Sequence, residues 1–319
     1  CGITIRHAAF VRHARKAHKG IFMKKFKFKK IDAFAAGSSA GNPAAAVYLD
    51  SFGDITEQEM LRVARELKGF VCEVGYIAET GPNRYKLRYF SSEKEVEFCG
   101  HATIAIMYDL LKNASGRSGH QQVFIETNKG VLDVENRLAD ENSVFITAPV
   151  PAYSELGIEM DEIISALSIG GEAINRNAPT GIVNAGNETL CVPIRSLDEI
   201  VAMSPDYETL RAFCKKHNLD VITVFSPDVS DKARACRTRV FAAPFGYLED
   251  PATGSGNAAL GYHLLKHGLW RGEGIILEQN NDKKNPNIIR MATKTDADGT
   301  LRVIFGGAAI TRIEGYYLI

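Results

Sequence analysis

The sequence predicts an α+β fold built from two related halves, and three observations lead there. Strand-like and helix-like stretches mix without the regular alternation of a doubly wound parallel sheet. A stretch recurs at a shift of 154 (253 − 99): Cys99 to Lys112 lies over Thr253 to Lys266, with Gly100/Gly254, Ala105/Ala259, Tyr108/Tyr262, Leu110/Leu264, Leu111/Leu265 and Lys112/Lys266 identical. And 319 residues leave room for two domains, each with its own core. Both copies follow an Arg-x-Phe strand, at Arg88 and Arg239, and Gly41-Asn42 pairs with Gly186-Asn187 upstream in the same order.

Taken in order, residues 1–22 read as a basic extension outside the fold, with five Lys/Arg and no acid. Phe26 to Phe34 alternates as a strand, a loop runs from Ala36 to Pro43, and Ala44 to Leu49 forms a second strand. Thr56 and Glu59 make a capping box for a helix with a Met60, Val63, Ala64, Leu67 face, closed by Gly69. Phe70 to Ile77 reads as a strand apolar on both faces, with Glu73 its one charge. The simpler reading of Glu73 is a strand-end carboxylate reaching solvent. The sharper one is a buried acid with a raised pKa, suited to proton transfer near neutrality. Strands at Tyr85–Phe90 and Glu95–Phe98 lead to a helix spanning Thr103–Asn113, and His101 at its start either caps it or acts on a bound anion.

Gln122–Glu126, Val131–Val134 and Val144–Ala148 read as strands, and the join between halves falls near Gly130 to Pro151. The expected division is 23–135 for a first lobe, 136–305 for a second, and 306–319 as a terminal strand returning to the first. In the second lobe, Met160–Leu167 and Tyr207–His217 are helical, and Ile182–Pro193 holds a loop and strand. Val221–Phe225 and Arg237–Ala242 are strands feeding Glu249 to Gly256, a turn-rich loop that opens a helix over Asn257–His267. Gly274–Glu278, Ile288–Ala292, Leu301–Gly306 and Ala308–Tyr317 complete the strands. Pro251, Gly254 and Gly256 make the loop tight, with Thr253 or Ser255 as an ordinary cap. The same geometry offers free N–H groups and a helix dipole to an anion. Two such tips facing one cleft make a binding site for a small carboxylate.

Composition narrows the classes. Net charge is zero, and outside residues 1–22 the balance is −5 (33 Lys+Arg against 38 Asp+Glu), which argues against nucleic acid as a partner. No apolar run reaches the ~18 residues of a membrane span. Six cysteines without a Cys-x-x-Cys pair fit neither a zinc motif nor a disulfide framework, and suit a reducing, cytoplasmic setting. No dinucleotide fingerprint, P-loop or metal-ligand cluster is apparent, so no metal site is expected.

Phe98-Cys99-Gly100-His101-Ala102-Thr103, Glu249-Asp250-Pro251-Ala252-Thr253-Gly254-Ser255 and the opening Asp32-Ala33-Phe34…Gly41-Asn42-Pro43-Ala44-Ala45 resemble the PhzF family, the phenazine-biosynthesis-like isomerases. The resemblance runs from about Lys24 to the C-terminus. It implies the diaminopimelate epimerase fold: two pseudo-symmetric lobes, each a sheet curled around a central helix. It also implies a homodimer without cofactor. For the founding member it implies isomerisation of trans-2,3-dihydro-3-hydroxyanthranilate by moving a proton along an allylic system. The family's acid/base Glu, in a Ser-Glu-Thr stretch, matches Glu73, here flanked by Cys72 and Val74. Its cleft His and Asp match His101 and Asp250, and Gly254 and Ser255 match its anion-holding loop. Gly100 and Asn42 complete the expected substrate contacts. The late Gly-Arg-Pro-Ser segment of many members is absent around Glu278–Pro286. Epimerases and proline racemases of this fold use two cysteines; here Cys99 holds the first position and Thr253 the second, whose hydroxyl is no practical base near neutral pH. The expected function is cofactor-independent isomerisation of a small carboxylate by Glu73, Asp250 and His101. One-base epimerisation or racemisation of an amino acid, and non-catalytic binding of a small anion, are the rivals.

Overall fold

The computed structural model describes residues 23–113 and 122–319. The basic stretch read as an extension, 1–22, lies outside the described residues. In the first half the elements are β1 (Lys25–Ala33), β2 (Asn42–Tyr48), α1 (Glu57–Glu66), β3 (Glu73–Gly81), β4 (Arg84–Ser91), β5 (Glu95–Val96), α2 (Gly100–Asn113), β6 (Gln122–Thr127), β7 (Gly130–Arg137), α3 (Leu138–Glu141) and β8 (Ser143–Thr147). Then come β9 (Ala152–Ser154), α4 (Met160–Leu167), β10 (Gly181–Asn184), β11 (Glu188–Pro193), α5 (Leu197–Ala202), α6 (Tyr207–Lys216), β12 (Val221–Ser226), β13 (Cys236–Phe241) and β14 (Glu249–Asp250). The chain closes with α7 (Gly254–Lys266), β15 (Ile275–Gln279), β16 (Asn287–Thr295), β17 (Leu301–Gly307) and β18 (Ala309–Leu318).

One pattern of strand pairing occurs twice. In the first half the order is β18-β1-β2-β3-β4-β6-β7-β8, with β2/β3 and β4/β6 parallel and the rest antiparallel. In the second it is β9-β10-β11-β12-β13-β15-β16-β17, with β11/β12 and β13/β15 parallel. The short β5 and β14 pair with β4 and β13 at matching places. The halves join where β8 pairs antiparallel with β17. The last strand, β18, lies against β1 along its length, Leu318 opposite Lys25 and Ala309 opposite Ala33.

Each sheet wraps a helix that is apolar almost all round. In α2 Ala102, Ile104, Ala105, Ile106 and Met107 are fully buried, and in α7 Ala258, Ala259 and Leu260 are. A helix without a polar face must be enclosed, which is why these two sit inside and the amphipathic ones outside. Helix α1 covers the outer face of β1–β3 through Met60, Val63 and Ala64. Helices α4, α5 and α6 do the same for the second half through Ile163, Ile200, Leu210 and Phe213. The one acid buried in α2, Asp109, is answered by Lys29 at 2.9 Å and by the hydroxyls of Tyr48 and Thr311 at 2.7 Å.

Several boundaries differ from those expected. Helices α2 and α7 start three residues early, at Gly100 and Gly254, because glycine at a first turn hides the apolar period that marks a helix. Strand β3 begins only at Glu73, and Phe70, read as a strand residue, is 44% exposed. Strand β2 begins at Asn42, inside the expected loop. Helices α3 and α5 were not anticipated; four and six residues are too short to show a period, though Ser196 caps α5 by accepting from Glu199 N–H. The capping box of α1 forms as read, with Thr56 Oγ1 accepting from Glu59 N–H.

Candidate active site

The tips of α2 and α7 meet at one aromatic ring. An ideal Cβ on Gly100 would lie 3.4 Å from Phe305 Cζ, and one on Gly254 only 2.1 Å from Phe305 Cε2. The ring, 2% exposed on β17, is therefore the floor between the two helix starts. Each tip is reached by a strand and hairpin held by the same ion pair. Arg88 donates from Nε and Nη2 to Glu95 at 2.6 and 2.5 Å, and Arg239 donates to Glu249 at 2.9 and 2.7 Å. A bidentate fork fixes orientation as well as distance, so each loop enters its helix at a set angle.

Glu73 opens β3, opposite Ala44 on β2 and Ser91 on β4. Its side chain is about a fifth exposed, and Oε2 lies 3.4 Å from His101 Nε2. Neither atom has a hydrogen-bond partner, although both are buried. Burial pushes the Glu73 carboxyl up to about 7, and the Asp250 charge adds to that while the Cys99 thiol opposes it. The strand-end position is thus as the simpler reading had it, but the side chain turns inward. His101 stands in the first turn of α2, so it does not cap the helix. Burial lowers its imidazole to about 4, against a contact with the Pro43 carbonyl, leaving it neutral near pH 7. Cys99 Sγ lies 3.4 Å from His101 Nδ1. Burial pushes its thiol well above the ordinary range, with Glu73 adding and the Ala102 N–H opposing.

Asp250 approaches from the second half at the end of β14 and is 8% exposed. Asn42 Nδ2 donates to one carboxylate oxygen at 2.6 Å and Thr253 Oγ1 to the other at 2.5 Å. Burial raises this carboxyl to about 6 despite those two donors, with Glu249 adding to the rise. Thr253, at the α7 cap position, makes no side-chain cap bond because its hydroxyl is spent on Asp250. The loop is pinned further by Gln279, which accepts from Thr253 N–H and Asn257 and donates to the Asp250 carbonyl. Asn287 closes it, accepting from Gly41 N–H and donating to the Pro251 carbonyl.

Of the expected site residues, Glu73, His101 and Gly100 are gathered at one tip, and Asp250, Gly254 and Ser255 at the other. Ser255 accepts from Asn187 Nδ2 at 2.9 Å. Asn42 is fully enclosed; its Nδ2 donates to Asp250 and to the Ala252 carbonyl, so it positions the acid, and its Oδ1 has no hydrogen-bond partner. Gln279 and Asn287 escaped the sequence reading, since a lone amide in a strand carries no motif. The expectation of no metal-ligand cluster needs correction: Glu73, Cys99 and His101 offer ligand atoms all within 4.8 Å of one another. Cys99 and His101 are neighbours, but β3 brings Glu73 from another part of the chain, where spacing could not reveal it. Cavities of about 600 and 300 Å³ lie elsewhere, beside Lys24–Lys27 and Tyr316 and beside Phe225, Leu264 and Trp270. Neither is lined by Glu73, His101 or Asp250, so the perturbed acids lie apart from both.

The chain is similar to known proteins in sequence and in fold. The family profile described as phenazine biosynthesis-like protein matches residues 31–315. A protein named as an uncharacterized isomerase from Clostridium acetobutylicum is 27% identical over 297 residues, covering 90% of this chain and 96% of its own. A trans-2,3-dihydro-3-hydroxyanthranilate isomerase from Pseudomonas chlororaphis is 28% identical over 287 residues, covering 88% and 95%. In fold, the chain resembles a Bacillus anthracis phenazine biosynthesis protein of the PhzF family at a TM-score of 0.82, with 24% identity, 93% of this chain and 100% of that one covered. A hydroxyproline epimerase from Agrobacterium vitis shares the fold at a TM-score of 0.56, with 14% identity and 92% and 93% covered. The α+β fold is of the diaminopimelate epimerase type.

Proposed function

The chain belongs to the phenazine biosynthesis-like family, and from that premise we propose that it is a cofactor-independent isomerase moving a proton on a small carboxylate substrate. The observation that carries the reading is the Glu73 carboxyl, raised to about 7 in a cleft where two helix tips converge. An acid poised near neutrality gives up and takes back a proton with little free-energy cost in either direction. The substrate carboxylate sits at the N–H groups opened by Gly100 and by Gly254 and Ser255. Glu73 removes a proton from the adjoining acidic carbon and returns it elsewhere on the conjugated system. The neutral His101 imidazole stands beside the carboxyl, its Nε2 3.4 Å from Glu73 Oε2, where it can accept the proton of the protonated acid. Asp250 keeps the proton affinity of Glu73 high through its like charge.

A two-thiol racemase is not supported. The position matching the second thiol holds Thr253, whose hydroxyl is committed to Asp250. Assembly as a homodimer and a cytoplasmic location belong to the same proposal. Among the described residues the five cysteines are free and no helix is long and apolar enough to cross a membrane.

The test is deuterium exchange. Small unsaturated carboxylates, including trans-2,3-dihydro-3-hydroxyanthranilate, are incubated in D₂O with the parent and with Glu73→Gln. The expected result is deuterium incorporated with double-bond movement by the parent, slowed ~10²–10⁴-fold in the variant. Equal incorporation removes Glu73 from the role, and loss of chirality without bond movement identifies an epimerase.

A further inference from the structure

Glu73, Cys99 and His101 present a carboxylate oxygen, a sulfur and a ring nitrogen within 4.8 Å of one another. That donor set suits a borderline-soft ion such as Zn²⁺ and suits Ca²⁺ or Mg²⁺ poorly, because the latter take oxygen ligands. Around a tetrahedral zinc, with bonds of about 2.0–2.3 Å, ligand atoms stand about 3.4–3.6 Å apart. The Glu73 Oε2 to His101 Nε2 distance is already 3.4 Å. Both atoms are buried without a hydrogen-bond partner, an arrangement that is unfavourable until something satisfies it. The His101 ring also contacts the Pro43 carbonyl, and proline has no N–H, so the ring is the donor. A ligating imidazole that donates to a backbone carbonyl is the usual way a metal site orients its histidine.

We propose that Glu73, Cys99 and His101 bind a single Zn²⁺-class divalent ion, and that the bound ion halts catalysis by occupying the carboxylate that moves the proton. The blocking half rests on the isomerase reading above, and the binding half does not. On binding, the Cys99 S–H bond breaks, a sulfur–metal bond forms and its proton leaves to solvent, joined by the Glu73 proton where that carboxyl is protonated, with no change of oxidation state. Three protein ligands leave a fourth position for water or for the substrate carboxylate. The ion is an inhibitor here, not a participant: the proton transfer assigned to Glu73 requires its oxygens free.

The experiment titrates the full chain with Co²⁺ and follows the thiolate-to-cobalt charge-transfer absorption in the near ultraviolet. The expected result is a saturable band at one equivalent in the parent. Cys72→Ser, which removes the exposed neighbouring thiol, keeps the band. Cys99→Ser abolishes it and weakens binding by ~100-fold or more, since even outer partners of a metal ligand are worth about 10–100-fold. Glu73→Gln keeps the thiolate band at weakened affinity, which guards against a Cys99 variant that merely misfolds. Absence of a saturable band, or a band lost with Cys72 and kept without Cys99, overturns the binding site. In the deuterium assay, Zn²⁺ stops exchange by the parent and a chelator restores it. A Co²⁺ band with exchange untouched by Zn²⁺ overturns the blocking half alone. A Co²⁺ band in a protein that exchanges no substrate overturns the isomerase reading and leaves the site standing.

Discussion

The two helix-tip loops share a scaffold and differ in what they do with their acids. Aligned by strand pairing, Glu73 opposite Ala44 on β2 corresponds to Val221 opposite Thr189 on β11. Asp250 opposite Val240 on β13 corresponds to Val96 opposite Tyr89 on β4. Each half therefore supplies one acid where the other half has valine. In the second loop the acid itself is committed, Asp250 being held by Asn42 and Thr253 and the backbone by Gln279, while the Asn42 and Asn257 amide oxygens stay without a partner. The first is left partly unpaired at Glu73 and His101. A repeated frame sets two tips face to face, and departures from the repeat make one acid a fixed charge and the other a group free to move a proton.

The sharpest way to break this comparison is at the matched ion pairs. Arg239 is buried and also donates to the carbonyls of Ile200 and Met203, whereas Arg88 is about a fifth exposed. Arg239→Met should cost about 3–5 kcal/mol in urea unfolding, because Glu249 is left without its buried partner. Arg88→Met should cost about 1 kcal/mol or less. Equal losses would mean the two loops are held alike.

The second prediction concerns pH. The folded-state pKa of Glu73, about 7, lies above its unfolded value of about 4.5, so the folded protein binds more protons in between. The penalty of ionising this buried acid is absent below about 4.5 and complete above about 7. Relative to the parent, Glu73→Gln should therefore gain stability on the order of 2–3 kcal/mol as pH rises through that window. A constant difference between the two unfolding curves would show that the acid is not raised.

The smallest effect separates the two glycines. A Cβ on Gly254 overlaps the Phe305 ring, so Gly254→Ala should cost ~1–3 kcal/mol. A Cβ on Gly100 sits at 3.4 Å from the same ring, so Gly100→Ala should be near neutral, the tight contact offset by better helix propensity. Chemical denaturation of both variants reads the difference directly, and a larger loss at Gly100 would reverse the assignment of the crowded tip.

Local chemistry was readable because it needs only neighbours. Thr56 and Glu59 announce their own capping box, and the Arg-x-Phe strands with the matched helix starts announce the repeat. The family motifs also brought Glu73, His101 and Asp250 forward as candidates. What spacing could not supply was partnership. Gln279 and Asn287 are isolated amides in strands until folding sets them under the Asp250 loop. Asn42 shows its hold on Asp250 only once β2 is folded against the second half.

The sequence alone determined the class of fold, the two helix-opening loops and the residue types able to move a proton, because periodicity, turn chemistry and side-chain identity are properties of short stretches. Only the tertiary structure decided that Glu73 turns inward beside His101, that Cys99 joins them, and that Asp250 is held instead of free. Burial and long-range hydrogen bonding set the proton affinity of a carboxyl, and both arise only when distant strands come together.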